Sequence, residues 1–247
     1  MIHISSRAIH LLAMLALLLW AGCSADSDPM TPEPAPLPDL TLLALGDSYT
    51  VGHALPQQWS WPYQLADSLA TSGDTLQTVD VIAQTGWTTR DLLDALRDSL
   101  AGVSPEGPPY GLVTLMIGVN NQFQGVDLDV FRAELDTLID QAILLAGGKP
   151  EQVLGFSIPD YGVTPVGGLF NPDQISEGIR AHNLVLSQAL AEHGVALLDI
   201  TTVSLLAADD PSLVARDELH FSREMYRLWV GLMLPEVRHC LALDIPR

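Results

Sequence analysis

The sequence Leu40-Thr-Leu-Leu-Ala-Leu-Gly-Asp-Ser-Tyr-Thr-Val-Gly52 joins a short apolar run to an abrupt polar turn. Leu40–Leu45 has the length and apolarity of a strand that is buried on both faces. Gly46 favours a sharp turn, because glycine adopts backbone angles that other residues avoid. Ser48 would then lie at the carboxyl end of the strand, where open α/β sheets bind ligands. It is a candidate nucleophile if a base accepts its proton, and otherwise part of a polar turn.

A candidate base lies near the other end of the chain, in the sequence Asp217-Glu-Leu-His220. Residues three apart can belong to one turn, so the carboxylate of Asp217 can hold the imidazole of His220. Together with Ser48 they are the residue types of a serine-hydrolase triad, in the chain order Ser–Asp–His. Asp47 is expected to hydrogen bond its own loop. His53 has no evident orienting partner in the sequence and is the weaker candidate for the base.

Four separate blocks make the chain from Leu40 onward resemble the GDSL, or SGNH, hydrolase family. In chain order they are Gly46-Asp-Ser-Tyr49, Gln84-Thr-Gly-Trp-Thr-Thr89, Gly118-Val-Asn-Asn121 and Asp217-Glu-Leu-His220. The resemblance implies a catalytic triad of Ser48, Asp217 and His220. It also implies an oxyanion hole made by the backbone N–H groups of Ser48 and Gly86 and the side chain of Asn120.

The resemblance implies a serine hydrolase that cleaves acyl esters of small molecules, lipids or sugars without a cofactor. Thioesterase, lysophospholipase and carbohydrate O-deacetylase activities are alternatives within the same fold. A catalytically silent binding lipoprotein is the alternative outside enzymology. The seven histidines show no metal-binding spacing such as His-Glu-x-x-His, so no metal is predicted.

Strand-like and helix-like segments alternate from Leu40 to the C-terminus. The predicted strands are Leu40–Leu45, Thr78–Ala83, Leu112–Ile117, Gln152–Ser157 and Val195–Ile200. The predicted helices are Pro62–Ala70, Thr88–Leu100, Leu128–Leu145, Pro172 to about His193, and Phe221 or Ser222 to about Leu243. Strands separated by helices indicate a parallel sheet that is covered on both faces. We therefore predict a three-layer α/β/α sandwich with a central parallel sheet of about five strands, the flavodoxin-like fold that the resemblance also implies.

Two further features are candidates for the walls of the site. Trp87 directly follows Gly86, so it is expected either to line the substrate pocket or to pack in the core. Ile158–Asn171 is a long loop after a predicted strand, and such loops in compact domains are often functional. We expect this loop to form one wall of the site.

Residues 1–22 are predicted to be a lipoprotein signal peptide. Arg7 gives a positive start, and Leu11–Trp20 is too short to span a bilayer comfortably but suits a signal-peptide core. The small residues before Cys23 resemble the bacterial lipoprotein signal, in which the cysteine is acylated and becomes the mature N-terminus. An ordinary secretory signal that is cut nearby is the alternative.

The rest of the N-terminal region predicts a linker and an envelope location. Five prolines in Ser24–Asp39 favour an extended chain, so residues 23–39 are read as a lipidated linker and residues 40–247 as the hydrolase domain. Ser24 resembles the second mature residue of lipoproteins sent to the outer membrane. The predicted location is therefore the bacterial cell envelope, lipid-anchored in the outer membrane and facing the periplasm or the cell surface.

Charge and cysteine content restrict the partners further. The chain has 11 basic and 30 acidic residues and a net charge of −19, which argues against nucleic-acid binding. The two cysteines are Cys23 and Cys240. If Cys23 carries lipid, no intramolecular disulfide can form, and Cys240 is read as a small core residue.

Overall fold

A five-stranded parallel sheet is the centre of the computed structural model, which describes residues 40–100 and 109–241. Its strands are β1 (Thr41–Gly46), β2 (Thr78–Ala83), β3 (Leu112–Met116), β4 (Val153–Phe156) and β5 (Ala196–Leu198). Their order in the sheet is β2-β1-β3-β4-β5. The inner strands β1, β3 and β4 are almost wholly buried, which explains their continuous apolar sequences. The predicted parallel sheet is confirmed.

The helices follow the strands in alternation. Within the described residues they are α1 (Ser48–Val51), α2 (Trp61–Thr71), α3 (Thr89–Leu100), α4 (Val119–Gln124), α5 (Leu128–Leu145), α6 (Pro172–Glu192), α7 (Thr201–Ser204) and α8 (Arg223–Cys240). The five longer helices lie where the sequence predicts them. The short helices α1, α4 and α7 were not predicted. Two of them, α1 and α4, begin at the carboxyl ends of β1 and β3.

The strand order places helices on both faces of the sheet. The chain runs from β1 outward to β2 through α2, and then back across β1 to β3 through α3. Because crossovers between parallel strands are right-handed, helices on connections that run in opposite directions cover opposite faces. Accordingly α2 packs against α8, whereas α5 packs against both α3 and α6. The predicted three-layer sandwich is confirmed.

Local sequence explains where individual helices begin. Asn171 caps α6, since its Oδ1 accepts the backbone N–H of Gln174 over 3.2 Å, and Pro172 occupies the first turn. Trp61, at the start of α2, is fully buried in the core.

Cys240, at the end of α8, is a free, partly buried thiol whose pKa burial raises to about 11. It packs against the core from its edge and does not lie within the core, where the sequence predicts it.

The N-terminal predictions fall outside this description. Residues 1–39, which include the predicted signal peptide, Cys23 and the proline-rich linker, are not among the described residues. Within residues 40–100 and 109–241, none of the helices combines the length and apolar character needed to cross a bilayer.

Candidate active site

Three loops meet at the carboxyl edge of the sheet, where β1 lies between β2 and β3. In this strand order the connections leave β1 and β3 in opposite directions, which opens a crevice at that point of the edge. Ser48 follows β1, Gly86 follows β2 and Asn120 follows β3, and all three line one cavity of about 280 Å³ together with His220. The structure thus brings four of the sequence-predicted site residues to one place.

Ser48 is held at the first position of the short helix α1. Asp47 caps this helix, because its Oδ1 accepts the backbone N–H of Tyr49 over 3.0 Å, as predicted from the sequence. Burial raises the pKa of Asp47 to about 7. Ser48 itself is almost buried, and its Oγ makes no hydrogen bond to any described residue. It is therefore positioned by the backbone rather than by a side-chain partner.

Gly46 is required for space rather than for an unusual backbone angle. It ends β1 without a positive φ, so the special backbone angle expected of this glycine is not used, although the chain bends directly after it at Asp47. A Cβ at this position would lie 2.2 Å from Oγ1 of Thr50 and 2.4 Å from the carbonyl oxygen of Met116. The glycine therefore lets α1 approach β3 closely enough to place Ser48 over the sheet edge.

Asp217 and His220 are joined within one tight loop. Nδ1 of His220 lies 2.6 Å from Oδ2 of Asp217, and Oδ1 of Asp217 accepts the backbone N–H groups of Leu219 and His220 over 3.1 and 3.0 Å. Glu218 adopts a left-handed conformation with a φ of 60°, which closes the loop. The predicted turn that holds the imidazole by the carboxylate is present.

The electrostatics of this pair fix which ring nitrogen can act as a base. Burial raises the pKa of Asp217, but hydrogen bonds from His220 and Leu219 outweigh burial, so the pKa lies below its ordinary value. An ionised carboxylate only accepts hydrogen bonds, so Nδ1 of His220 donates and Nε2 keeps a lone pair. Burial lowers the pKa of His220, against the hydrogen bond to Asp217, so the ring is neutral at pH 7.

Gly86 and Asn120 approach the cavity from neighbouring loops. Gly86 has a φ of +88°, and nothing lies within 4 Å of the position that a Cβ would occupy, so its backbone is open to an approaching group. Nδ2 of Asn120 donates to the carbonyl oxygen of Trp87 over 2.9 Å. An amide nitrogen carries two hydrogens, so one remains for a ligand in the cavity.

The rest of the cavity lining is mostly apolar. Its side chains are Tyr49, Thr85, Val119, Phe123, Tyr161, Val166, Phe170 and Leu219. Three of these belong to Ile158–Asn171, so the prediction that this loop forms a wall is confirmed. Trp87 does not line the cavity but packs, partly buried, against the core. In the Ile158–Asn171 loop, Phe170 lies beside the exposed ring of Phe123, and the two ring centroids are 6.4 Å apart.

His53 lies closer to the site than its sequence position suggests. Its ring centroid is 4.5 Å from that of His220, and its Nδ1 lies 2.9 Å from Oγ1 of Thr85. Thr85 belongs to the β2–α3 loop, so no sequence pattern near His53 could reveal this partner.

One group of side chains could hold a metal ion. Within the described residues, ligand atoms of His53, Asp217 and His220 all lie within 4.8 Å of one another, and two imidazoles with a carboxylate are ligands that zinc accepts. In the structure the Asp217 carboxylate instead accepts a hydrogen bond from His220. The group combines residues far apart in the chain, which local spacing cannot show. The expected absence of a metal stays a prediction.

A buried polar cluster beside the cavity was also missed from the sequence. It contains Thr89, Asn121 and Glu134, which come from α3, α4 and α5. Only the sheet order brings these three elements together, although the two asparagines in the third sequence block were visible.

The chain matches one known family model over most of its length. The model, described as the GDSL-like Lipase/Acylhydrolase family, matches residues 44–228. This span contains Ser48, Gly86, Asn120, Asp217 and His220. None of the curated proteins is significantly similar to the chain in sequence.

Solved structures with the same fold include several esterases. The psychrotrophic esterase EstA from Pseudoalteromonas sp. is 18% identical, with a TM-score of 0.64, over 83% of this chain and 100% of that one. The lipase/acylhydrolase from Enterococcus faecalis is 22% identical, with a TM-score of 0.63, over 80% and 95% of the two chains. An acetylxylan esterase from Geobacillus stearothermophilus is 19% identical, with a TM-score of 0.60, over 81% and 96%. At these identities the likeness shows the fold.

Proposed function

The chain belongs to the GDSL-like lipase/acylhydrolase family, and on that premise we propose that it is a serine esterase in which Ser48 is the nucleophile and His220 the base. The observation that carries the proposal is the 2.6 Å contact between Asp217 and His220, in a loop that borders the cavity containing Ser48. A half-buried acid paired with an imidazole, in a loop beside a serine of the same cavity, suits acyl transfer.

In the proposed mechanism, Nε2 of His220 takes the proton of Ser48 Oγ as that oxygen attacks the ester carbonyl carbon. The proposed hydrogen bond between Ser48 Oγ and Nε2 of His220 is made in the complex with substrate, where catalytic hydrogen bonds tighten. The carbonyl oxygen becomes an oxyanion, which accepts hydrogen bonds from the N–H groups of Ser48 and Gly86 and from Asn120. Asp217 stabilises the imidazolium that forms.

Collapse of the tetrahedral intermediate breaks the ester C–O bond, and His220 returns the proton to the leaving alkoxide, which departs as the alcohol. Water then attacks the acyl–Ser48 ester with the same base, and the acid is released with Ser48 restored. The second half repeats the first with water as the nucleophile, so no cofactor enters the proposed reaction.

The apolar wall of the cavity favours an ester with a hydrophobic acyl chain. At about 280 Å³ the cavity is close to the lower end of the ligand-pocket range of about 300–1,000 Å³. Its volume therefore suits a short or medium acyl chain. Phe123 and Phe170 offer ring faces and edges but no hydrogen-bond donors for sugar hydroxyls. Carbohydrate O-deacetylation is the second candidate, because the acetylxylan esterase from Geobacillus stearothermophilus shares the fold.

A panel of p-nitrophenyl esters, compared with acetylated sugars, tests whether the enzyme prefers hydrophobic acyl esters or acetylated carbohydrates. We expect kcat/KM to rise from the acetate to the hexanoate by at least about tenfold, because burial of even one of the four additional methylenes in an apolar pocket contributes about 1–3 kcal/mol. Phe123→Ala should lower kcat/KM for the hexanoate and leave that for the acetate nearly unchanged. Leu144→Ala, which removes an equally exposed side chain on α5 outside the cavity, is the matched control. Faster hydrolysis of acetylated sugars than of any longer ester would instead support O-deacetylation.

We also propose that the protein is anchored in the bacterial envelope through lipid on Cys23. The support is the sequence alone, in which small residues precede the cysteine after an apolar run. Cys23→Ser should move the protein from the membrane fraction to the soluble periplasmic fraction, as detected by immunoblotting after fractionation. Wild-type protein that is soluble and carries no lipid by mass spectrometry would contradict the proposal.

A further inference from the structure

Two neighbouring asparagines on α4 reach across to the β2–α3 loop and to the first residue of α3. Asn120 donates from Nδ2 to the carbonyl oxygen of Trp87 over 2.9 Å. Asn121 makes two hydrogen bonds to Thr89: its Oδ1 accepts the backbone N–H over 3.0 Å, and its Nδ2 donates to Oγ1 over 2.7 Å. The segment that runs from Gly86 into α3 is therefore hydrogen bonded to α4 at Trp87 and at Thr89.

The hydrogen bonds between Asn121 and Thr89 allow only one consistent placement of the hydrogen atoms. Thr89 Oγ1 has a single hydrogen, which it donates to Oε2 of Glu134 over 2.5 Å. The same oxygen therefore accepts from Asn121, whose amide nitrogen must face the hydroxyl. The second carboxylate oxygen of Glu134 is paired with Arg90 over 2.9 Å. Each group in this chain of contacts has its partner, which fixes the orientation of the Asn121 amide.

Burial makes this arrangement rigid. Thr89 and Asn121 have no exposed surface, and Glu134 is nearly buried. An unpaired polar group at such a position costs about 1–3 kcal/mol, so the contacts resist opening. Asn121 also satisfies a backbone N–H at the beginning of α3, which has no partner within its own helix. The cluster thus fixes the positions of α3, α4 and α5 relative to one another beside the cavity.

We infer that Asn121, with Thr89 and Glu134, is a positioning clamp that sets the spacing between the N–H of Gly86 and the side-chain amide of Asn120. This inference rests on the proposed function, in which these two groups bind the oxyanion. They come from different loops, and donors must lie about 2.7–3.1 Å from the oxyanion to be effective. The residues of the clamp do not line the cavity, so they act through Asn120 and Gly86 and not on substrate.

An isosteric pair of substitutions at Thr89 tests the clamp. Thr89→Val keeps the shape but removes the hydroxyl, which leaves Asn121 and Glu134 without their shared partner. We expect kcat for p-nitrophenyl butyrate to fall about 10- to 100-fold, because a displacement of about 1 Å remote from the reacting atoms can cost about 10²-fold. KM should change little, because the contact strengthens mainly in the transition state. Thr89→Ser retains the hydroxyl and should keep the wild-type kcat. Thr137→Val, which removes an exposed hydroxyl on α5, controls for the substitution itself.

The outcomes separate the clamp from the proposed function. Wild-type enzyme that hydrolyses no ester, or a Ser48→Ala variant that is fully active, contradicts the function. An active wild type whose folded Thr89→Val variant keeps its kcat, or loses it only in proportion to a rise in KM, overturns the clamp alone.

If the Thr89→Val variant does not fold, the Asn121→Asp variant tests the clamp instead. Its new carboxylate, ionised at neutral pH, would compete with Glu134 for the single hydrogen of Thr89 and repel it, so kcat should fall at pH 7 with little change in KM. A folded Asn121→Asp variant with an unchanged kcat overturns the clamp.

Discussion

His220→Ala should lower kcat on the order of 10⁶-fold, the scale of loss when the base of a serine hydrolase triad is removed. Without the imidazole, no group in the proposed mechanism accepts the proton of Ser48. The fold should survive, because the loop is held by backbone contacts. Oδ1 of Asp217 accepts two backbone N–H groups, and the N–H of Ala215 donates to the carbonyl oxygen of residue 220 over 2.7 Å. Turnover of a p-nitrophenyl ester, with circular dichroism on the same samples, measures both expectations.

The pH profile of wild-type kcat/KM checks the same assignment without a substitution. Burial lowers the pKa of His220 more than the hydrogen bond to Asp217 raises it, so the pKa lies below its ordinary value of 6.5. A protonated imidazole cannot accept the proton of Ser48. Activity should therefore rise with pH as the ring loses its proton, with a midpoint below about 6.5 and a plateau at neutral pH.

His53→Ala is the matched control, because its ring lies 4.5 Å from that of His220 but hydrogen bonds to Thr85 instead of to a carboxylate. It should retain most of the activity. A well-folded His220→Ala variant with near-normal turnover, together with an inactive His53→Ala variant, would move the base to His53. A profile that stays flat from neutral pH down to the pH at which the protein unfolds would also contradict the assignment, since protonation of the base must abolish activity.

The long periodic elements could be predicted from the sequence because each carries its own signal. Thr78–Ala83 forms β2 as predicted, and the apolar stripe of Leu128–Leu145 gives α5. The short helices α1 and α4 escape detection, because four to six residues hold too little periodicity. Both are set by tertiary contacts, such as the close approach of α1 to β3 at Gly46.

The residues of the proposed mechanism could be predicted from short local sequence motifs. The residues that hold them in place could not. The contact between Asp217 and His220 spans three positions of the chain, so spacing alone suggests it. The contact between Thr89 and Glu134 spans 45 positions, and that between His53 and Thr85 spans 32. Such pairs depend on which loops the sheet order brings together, and no local pattern encodes that order.

Asn120→Ala should lower kcat about 10²–10³-fold, equivalent to roughly 2.7–4 kcal/mol of transition-state stabilisation, because it removes one oxyanion donor. Many serine hydrolases use backbone donors alone, which substitution cannot remove. Here one proposed donor is a side chain that lines the cavity. KM should change little, because the contact is stronger in the transition state than in the bound substrate. Steady-state kinetics with a p-nitrophenyl ester measure both constants, and a fluorophosphonate should still label Ser48, though more slowly.

Asn120→Asp distinguishes an oxyanion donor from a residue that only secures the loop. A carboxylate cannot donate to the carbonyl oxygen of Trp87 and would place negative charge beside the developing oxyanion, so this variant should be at least as impaired as Asn120→Ala. Asn171→Ala is the control, because it removes an asparagine that caps α6 outside the cavity. Loss of a cap lowers stability by about 0.5–2 kcal/mol without a direct effect on chemistry. If Asn120→Ala behaves like Asn171→Ala, with a lower melting temperature and an unchanged kcat, Asn120 is structural and the oxyanion must be bound by backbone N–H groups alone.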